Sequence, residues 1–350
     1  MQPLIKPAKL NPGDKVAAVS LSWGGPGVLP ARYQAGKRQL EVAFGVQVVE
    51  MPHTLADPDW LHAHPQARAE DLMGAFCDPQ VLAIFSTIGG DDSIRTLPYL
   101  NLEVMQANPK IFMGYSDSTV THLACLKAGL GSFYGPSIMA GFGENAGLFP
   151  YMANSVRKTL FDSQPIGWLS PNTEGWTDEL MDWGDPKNQS IPRKRHTCTG
   201  WNFLQGQGQH SGRLMGGCIE VLDWLRGTDF WPTDEQWNGA VLFLETSEEA
   251  PSPQAVKRML RALAAVDALR RISALLVGRP GGQVPPEKFA EYDQAILDVL
   301  VEEEGLTEIP IVTNMDFGHS DPMLVLPYGA QIRIDCDAQQ LEITENAVCD

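Results

Sequence analysis

The sequence predicts an α/β protein whose strands form mostly parallel sheets. Over the first 160 residues, short and continuously apolar runs alternate with segments of helical periodicity, a spacing typical of βαβ units. The same alternation returns after residue 212, beyond a stretch rich in Pro, Gly, Asn, Gln and Trp. Because 350 residues suffice for two ordinary domains, we expect an N-terminal domain over 1–162, a linker with long loops over 163–211 and a C-terminal domain over 212–350.

In the first domain, the strands are predicted from apolar runs that are bounded by turn signals. The run KVAAVSL follows the turn sequence Asn-Pro-Gly-Asp, and the run VLAIFSTI stops at two glycines. Predicted strands cover 15–21, 46–49, 81–88 and 110–113, and predicted helices cover 31–44, 65–76 and about 117–130.

In the second domain, the clearest element is a helix over 252–271. Apolar residues recur along it every three or four positions, and Ser252 is suited to cap its N-terminus. The other predicted elements are a helix at 218–225, strands at 240–245, 274–278 and 310–313, and an antiparallel pair at 331–334 and 340–343.

The charge of the chain excludes several classes of partner. Lys and Arg number 26 against 43 Asp and Glu, which gives a net charge of −17. A protein this acidic repels nucleic-acid phosphates and anionic lipid headgroups. No apolar run is long enough to span a bilayer, and the N-terminus has neither the apolar segment nor the cleavage site of a secretory signal. We therefore expect a cytoplasmic protein with no nucleic-acid or membrane partner.

A candidate nucleophile, Ser116, lies in the sequence GYSDS between an apolar strand and a helix. A tight strand-to-helix turn holds a hydroxyl away from the backbone and directs the free N–H groups of the helix start towards an oxyanion. The pattern departs from GxSxG, because Ser118 stands where the last glycine would be. Taken alone, the segment fits a serine that merely caps the helix at least as well.

The pair Gly89-Gly90 ends the preceding predicted strand and is a candidate for the second oxyanion donor. Glycine lets the backbone approach a ligand closely. A plain turn before a helix that is capped by Asp91 or Asp92 explains the same residues. The segment has neither GxGxxG nor GK[ST], so a nucleotide phosphate loop is not supported.

A serine nucleophile needs a base and a carboxylate that orients the base. His319 lies in a glycine-containing loop just beyond a predicted strand, and Glu245 ends the strand AVLFLE. By residue type alone, Ser116, His319 and Glu245 are one triad among several. The group HAH at 62–64, with aspartates at 57 and 59, has the composition of a metal cluster, but a solvated loop explains it better, and we predict no metal site.

Several short motifs follow one another in the order found in one known enzyme family. Each is weak evidence alone, but an ordered set over nearly the whole chain is far more specific. On these motifs the chain resembles the LD-carboxypeptidase family of serine peptidases, and within it the branch of microcin C immunity proteins. The motifs are ARAEDLM at 67–73 with Phe76 and Asp78-Pro79, GGDDSIR at 89–95, GYSD at 114–117, Gly216-Gly217, Leu225, Gly227-Thr228, FWP at 230–232, Leu244-Glu245 and Gly318-His319.

The resemblance implies specific roles. Ser116 is expected to be the nucleophile, His319 the base and Glu245 its orienting acid, while the main-chain amides of Gly90 and Asp117 form the oxyanion hole. It also implies a flavodoxin-like N-terminal domain, a C-terminal α/β domain of swivelling type, an active site between them and a homodimer. No metal or organic cofactor is expected.

The departures from the family pattern bear on the substrate. Members that recycle peptidoglycan carry an Arg-Gly-Gly-Tyr-Gly-like loop where this chain has TIGGDD at 87–92, and the present form looks more like the immunity branch. There a tryptophan-bearing loop holds the nucleotide of an aminoacyl adenylate, which implies that Trp176 and Trp183 stack on a purine. Packing between the domains is the other explanation of these two residues.

We therefore expect a serine peptidase or amidase that cleaves an amide bond near a free carboxylate, in a small peptidyl or aminoacyl adenylate. A muropeptide LD-carboxypeptidase is the alternative substrate class. A glutamine amidotransferase would need a cysteine where Ser116 stands. A non-catalytic binding protein with two lobes would need no reactive serine.

Overall fold

The computed structural model describes residues 2–350 and contains two β-sheets with helices packed against them. The strands are β1 Lys15–Val19, β2 Gln47–Glu50, β3 Val81–Ser86, β4 Ile111–Gly114, β5 Phe133–Tyr134, β6 Gly167–Leu169, β7 Asn202–Gln205, β8 Gln209–Cys218, β9 Ala240–Glu245, β10 Ala274–Gly278, β11 Ile311–Met315, β12 Leu326–Pro327, β13 Gln331–Asp335 and β14 Gln340–Ile343. The expected α/β class, with largely parallel strands in both domains, is confirmed.

The α-helices connect these strands. They are α1 Gly25–Val28, α2 Pro30–Phe44, α3 Pro58–Ala63, α4 Pro65–Cys77, α5 Leu102–Ala107, α6 Thr119–Lys127, α7 Pro150–Leu160, α8 Ile219–Leu225, α9 Asp234–Trp237, α10 Pro253–Ala265 and α11 Phe289–Leu297. Within residues 2–350, none of the helices combines the length and the apolar character needed to cross a bilayer.

The N-terminal sheet has the strand order β12-β5-β4-β3-β1-β2. Its five N-terminal strands are parallel and run in the flavodoxin-like order 2-1-3-4-5. The sixth strand, β12, comes from the C-terminal part of the chain and pairs antiparallel with β5. Ligands of such sheets bind beyond the carboxyl ends of the strands, which here are the ends of β3 and β4.

The C-terminal sheet has the order β6-β14-β13-β8-β9-β10-β11-β7. Its central strands β8 to β11 are parallel, and the strands outside them are antiparallel. The carboxyl ends of β9 and β11 therefore lie on the same edge of this sheet. One hydrophobic cluster contains buried residues of both sheets, so the two halves pack against each other. The main-chain N–H of Cys218 also donates to Thr119 Oγ1 at 3.1 Å.

Two expectations about individual elements are wrong. We predict a linker with long loops over 163–211, but this segment supplies β6, β7 and the start of β8 to the C-terminal sheet. Its strands of three and four residues are too short to give a periodic pattern. The helix expected at 252–271 ends at Ala265, and Asp267 just beyond it adopts a positive φ of 61°. Ser252 caps this helix as expected, accepting a hydrogen bond from the Ala255 N–H at 3.2 Å.

Candidate active site

Ser116 lies in the turn that joins the buried strand β4 to helix α6. Its φ of +60° is a backbone conformation that costs free energy for a residue other than glycine. A Cβ at Gly114 would lie 2.5 Å from Ser118 Oγ, so only glycine allows the turn to be this tight. The Thr119 hydroxyl donates to the Ser116 carbonyl at 2.7 Å and fixes the turn. The predicted strand-to-helix elbow is thus present.

The structure brings Ser116, His319 and Glu245 into one hydrogen-bonded row. His319 Nε2 lies 3.1 Å from Ser116 Oγ, and His319 Nδ1 lies 2.6 Å from Glu245 Oε2. Glu245 is fully buried at the end of β9, and His319 follows β11. A Cβ at Gly318 would lie 2.6 Å from Glu245 Cβ, so a glycine is needed for the loop to close against this carboxylate.

Tyr134 is a member of the site that the sequence did not reveal. Its hydroxyl donates to Glu245 Oε1 at 2.5 Å and accepts the Ser116 N–H at 3.0 Å. The residue is almost fully buried in the two-residue strand β5. A two-residue strand gives no sequence pattern, and a tyrosine beside a phenylalanine is ordinarily interpreted as a core residue. Tyr134 thus links the nucleophile's backbone to the acid that orients the histidine.

Glu248 is a second residue that sequence reasoning did not place at the site. Its Oε2 lies 2.9 Å from His319 Nε2, the same nitrogen that faces Ser116 Oγ. Burial lowers the pKa of His319, but the charges and hydrogen bonds of Glu245 and Glu248 outweigh burial and raise this pKa to about 10. The hydrogen bond from His319 in turn lowers the pKa of Glu248 to about 2. Glu245 and Glu248 therefore both favour the protonated form of His319.

The predicted oxyanion donors are Asp117, which follows Ser116, and Gly90, which follows Gly89. A Cβ at Gly89 would lie 3.0 Å from Ser116 Oγ and 3.5 Å from the Asp117 nitrogen, so Gly89 lies against the serine, whereas a Cβ at Gly90 would meet Ser22 and Trp23. Gly90 has a φ of +147°, which favours glycine. Asp117 is the second residue of a helical turn, where a main-chain N–H has no acceptor within the helix. The Asp117 carboxylate accepts the Ser93 N–H at 2.9 Å, which holds this turn in place.

A cavity of about 420 Å³ opens in front of Ser116 and His319. Its walls include two indole rings, Trp23 and Trp183. The Arg32 guanidinium lies 4.4 Å from the ring centroid of Trp183. Trp183, one of the two tryptophans predicted to stack on a purine, therefore lies at the cavity.

Trp176 does not lie there, contrary to the prediction. It is only 3% exposed, and the His196 ring stacks on it with the centroids 4.4 Å apart. The Arg279 guanidinium lies 5.3 Å from its ring centroid, and Phe289 packs at its edge. Packing, the other explanation considered for this residue, accounts for Trp176.

No group of three or more His, Cys, Asp and Glu side chains suited to a metal ion occurs in residues 2–350. In the HAH segment, Asp57 caps α3 through the N–H groups of Asp59 and Trp60. His62 faces Asp92 at 3.0 Å, and His64 stacks on Trp60. These side chains serve local structure.

Comparison with known proteins identifies relatives over most of the chain. Residues 16–135 match the LD-carboxypeptidase N-terminal domain and residues 211–334 match the LD-carboxypeptidase C-terminal domain. The microcin C7 self-immunity protein MccF of Escherichia coli is 32% identical over 283 residues, which cover 79% of this chain and 78% of MccF. The murein tetrapeptide carboxypeptidase of Pseudomonas aeruginosa is 27% identical over 308 residues, which cover 85% and 86% of the two chains.

Solved structures extend the likeness to the whole fold. An MccF-like protein from Streptococcus pneumoniae, in complex with AMP, superposes with a TM-score of 0.85 at 33% identity and covers 95% of this chain and 99% of its own. MccF in complex with aspartyl sulfamoyl adenosine superposes with a TM-score of 0.82 at 27% identity, over 99% of this chain and all of its own. Since the two family domains together span well over half of its residues, the chain belongs to the LD-carboxypeptidase family of peptidases, a family of hydrolases.

Proposed function

We propose that the protein is a serine hydrolase in which Ser116, His319 and Glu245 act together to cleave an amide bond. The observation that carries the proposal is the continuous row of hydrogen bonds from Glu245 through the imidazole to Ser116 Oγ. His319 Nε2 takes the proton of the serine as Oγ attacks the carbonyl carbon. Glu245 holds Nδ1–H, which leaves Nε2 free to accept that proton, and it stabilises the imidazolium that forms.

The main-chain amides of Gly90 and Asp117 are proposed to bind the oxyanion of the tetrahedral intermediate. The approach of Gly89, the residue before Gly90, to Ser116 supports this role. His319 then gives its proton to the leaving nitrogen, and an acyl-enzyme remains on Ser116. Water, deprotonated by the same imidazole, attacks this ester and releases the acid.

The substrate class that we propose is an aminoacyl or peptidyl nucleotide. A cavity of about 420 Å³ falls within the range typical of small-ligand sites. Trp183 and Trp23 offer aromatic faces for a purine, and the relatives described above bind AMP and aspartyl sulfamoyl adenosine. Among the described residues that line the cavity, Arg193 carries the one guanidinium available to a substrate carboxylate. Arg193 already pairs with Glu144 and Asp321.

A muropeptide is the second candidate substrate, because the murein tetrapeptide carboxypeptidase of Pseudomonas aeruginosa is a relative over most of the chain. The deciding experiment measures kcat/KM side by side for an L,D-linked tetrapeptide and an aminoacyl sulfamoyl adenosine. We expect faster cleavage of the nucleotide. Faster cleavage of the tetrapeptide would indicate that a cell-wall peptide is the substrate. Cleavage of neither compound would favour a binding protein without catalytic activity.

Tyr134→Phe is expected to lower kcat by about 10- to 100-fold, the usual effect of losing a hydrogen bond to a buried charge. The variant removes the donor to Glu245 and the acceptor for the Ser116 N–H. Since Glu245 then holds its charge with one donor fewer, it attracts the His319 proton more strongly, and the acidic limb of the pH–rate profile moves to higher pH.

Tyr328→Phe is the matched control, because Tyr328 is equally buried and donates to the Gly216 carbonyl rather than to a site residue. Both variants should lose stability in thermal unfolding, but only Tyr134→Phe should move the pH profile. If the pH–rate profile of Tyr134→Phe matched that of the wild type, the role of Tyr134 would be purely structural.

Glu248→Gln is expected to move the acidic limb of the kcat/KM profile down by about one pH unit, the effect of removing one nearby opposite charge at an exposed position. The charge and hydrogen bond of Glu248 help to raise the pKa of His319, and a protonated imidazole accepts no proton from Ser116. Removing the Glu248 carboxylate lowers the pKa of His319, so the rate at neutral pH rises. Glu302→Gln is the control, because Glu302 is an exposed glutamate far from Glu248 in the sequence. This variant should leave the acidic limb of the kcat/KM profile at its wild-type pH. A rate at neutral pH that falls in Glu248→Gln would contradict this sign.

A further inference from the structure

The walls of the cavity in front of Ser116 are strongly acidic. Arg193 is the one guanidinium among the described lining residues, and it is bound by Glu144 and by Asp321, whose Oδ2 lies 2.6 Å from Arg193 Nη2. His319, the other basic group, is held between Glu245 and Glu248. Both basic groups on the described walls are therefore already paired with carboxylates. The lining carboxylates are Asp91, Asp178, Glu248, Glu249 and Asp321.

Two of these carboxylates have oxygens that are buried without a hydrogen-bond donor. Asp178 is 8% exposed and its Oδ2 has no partner, while its Oδ1 lies 3.6 Å from His196 Nε2, too far for a hydrogen bond. Asp321 Oδ1 is likewise buried without a partner. A buried acceptor that lacks a donor is costly, and native proteins nearly always satisfy such atoms. A ligand with N–H donors would satisfy these two oxygens.

Both aspartates line the same cavity as the candidate base. Thr177 and Asp321 exchange two main-chain hydrogen bonds of 2.7 and 2.8 Å, and Asp178 is the next residue after Thr177. Asp321 follows His319 by two residues. A group bound between Asp178 and Asp321 is therefore fixed close to the scissile bond of a substrate attacked by Ser116.

The chemistry of these residues selects an organic cation. No cluster of three or more metal-ligating side chains occurs in residues 2–350, which argues against a metal ion at this place. A phosphate or a carboxylate placed between Asp178 and Asp321 themselves would be repelled by these two carboxylates. An ammonium or guanidinium group supplies both the opposite charge and several N–H donors.

We propose that Asp178 and Asp321 form a subsite for a cationic side chain on the acyl residue of the substrate, so that the enzyme prefers lysine-like residues next to the cleaved bond. This inference rests on the proposed hydrolase function and adds the class of amino acid to it. Asp178 and Asp321 act here as specificity-determining residues, and Asp178 contributes the larger share because it has no cation of its own within hydrogen-bond distance.

The test compares lysyl, norleucyl and glutamyl sulfamoyl adenosine as substrates, since norleucine matches the length of lysine without its charge. We expect kcat/KM for the lysyl compound to exceed that for the norleucyl compound by about tenfold or more, with the glutamyl compound slowest. Asp178→Asn should bring the lysyl-to-norleucyl ratio close to one while norleucyl cleavage persists. Asp229→Asn, an exposed aspartate outside the cavity, should keep the wild-type ratio.

Two results would overturn the inference, and they are distinguishable. If the wild-type enzyme cleaves the glutamyl or norleucyl compound as fast as the lysyl compound, the cationic subsite is wrong and the proposed hydrolase stands. If it cleaves none of the three, the proposed nucleotide substrate fails as well. The wild-type comparison decides the matter even if Asp178→Asn does not fold.

Discussion

Ser116→Ala is expected to lower kcat by about 10⁴- to 10⁶-fold, the loss seen when the nucleophile of a serine triad is removed. No other hydroxyl is held 3.1 Å from His319 Nε2 by the described contacts, so no neighbour replaces it. Binding should persist, because the cavity walls and the oxyanion amides are unchanged. Steady-state kinetics on the better substrate, together with calorimetric titration of a non-hydrolysable analogue, measures both quantities.

The control for this variant is Ser118→Ala, two residues along the same turn. The Ser118 side chain makes no capping hydrogen bond to α6, so its loss should change kcat by less than about tenfold, as expected for a residue outside the reacting group. If Ser116→Ala kept a kcat near that of the wild type, another residue would have to be the nucleophile.

Glu245→Gln should lower kcat by about 10⁴-fold, as loss of the orienting carboxylate does in other serine triads. Glutamine keeps the volume of this fully buried side chain, but its amide group can donate to His319 Nδ1. The proton then sits on Nε2, which can no longer accept the proton of Ser116. The pKa of His319 should also fall, because the Glu245 charge that raises it is gone. Kinetics and NMR titration of the imidazole check these two effects.

Glu345→Gln is a suitable control for the loss of a glutamate charge. Glu345 is half-buried and pairs with Arg213 at 2.8 Å, away from Ser116. This variant should lose some stability and keep its kcat. Retention of wild-type kcat in Glu245→Gln, with the protein folded, would show that the carboxylate has no role in the reaction.

The sequence predicts the framework well because strongly apolar strands carry their own signal. The runs that became β1, β3, β4 and β9 are buried almost throughout, so their composition alone identifies them. Parallel pairing then brings their carboxyl ends to common edges. The sequence therefore identifies Ser116, which follows β4, and Glu245, which ends β9, as candidates.

The rest of the site depends on contacts between distant parts of the chain. Tyr134 meets Glu245 across 111 residues, and Glu248 reaches His319 only because the loops after β9 and β11 end on one edge. No local sequence pattern encodes such long-range contacts. Trp176 shows a different error, since the resemblance implied that it stacks on a purine, whereas His196 and Arg279 cover its ring.

The labelling rate with a fluorophosphonate probe measures directly whether His319 activates Ser116. Peptide mass spectrometry should locate the label on Ser116 in the folded protein, and His319→Ala should slow labelling by about 10²-fold or more, the contribution of a general base. Absence of label on Ser116, or an equal rate in His319→Ala, would mean that His319 does not activate this serine.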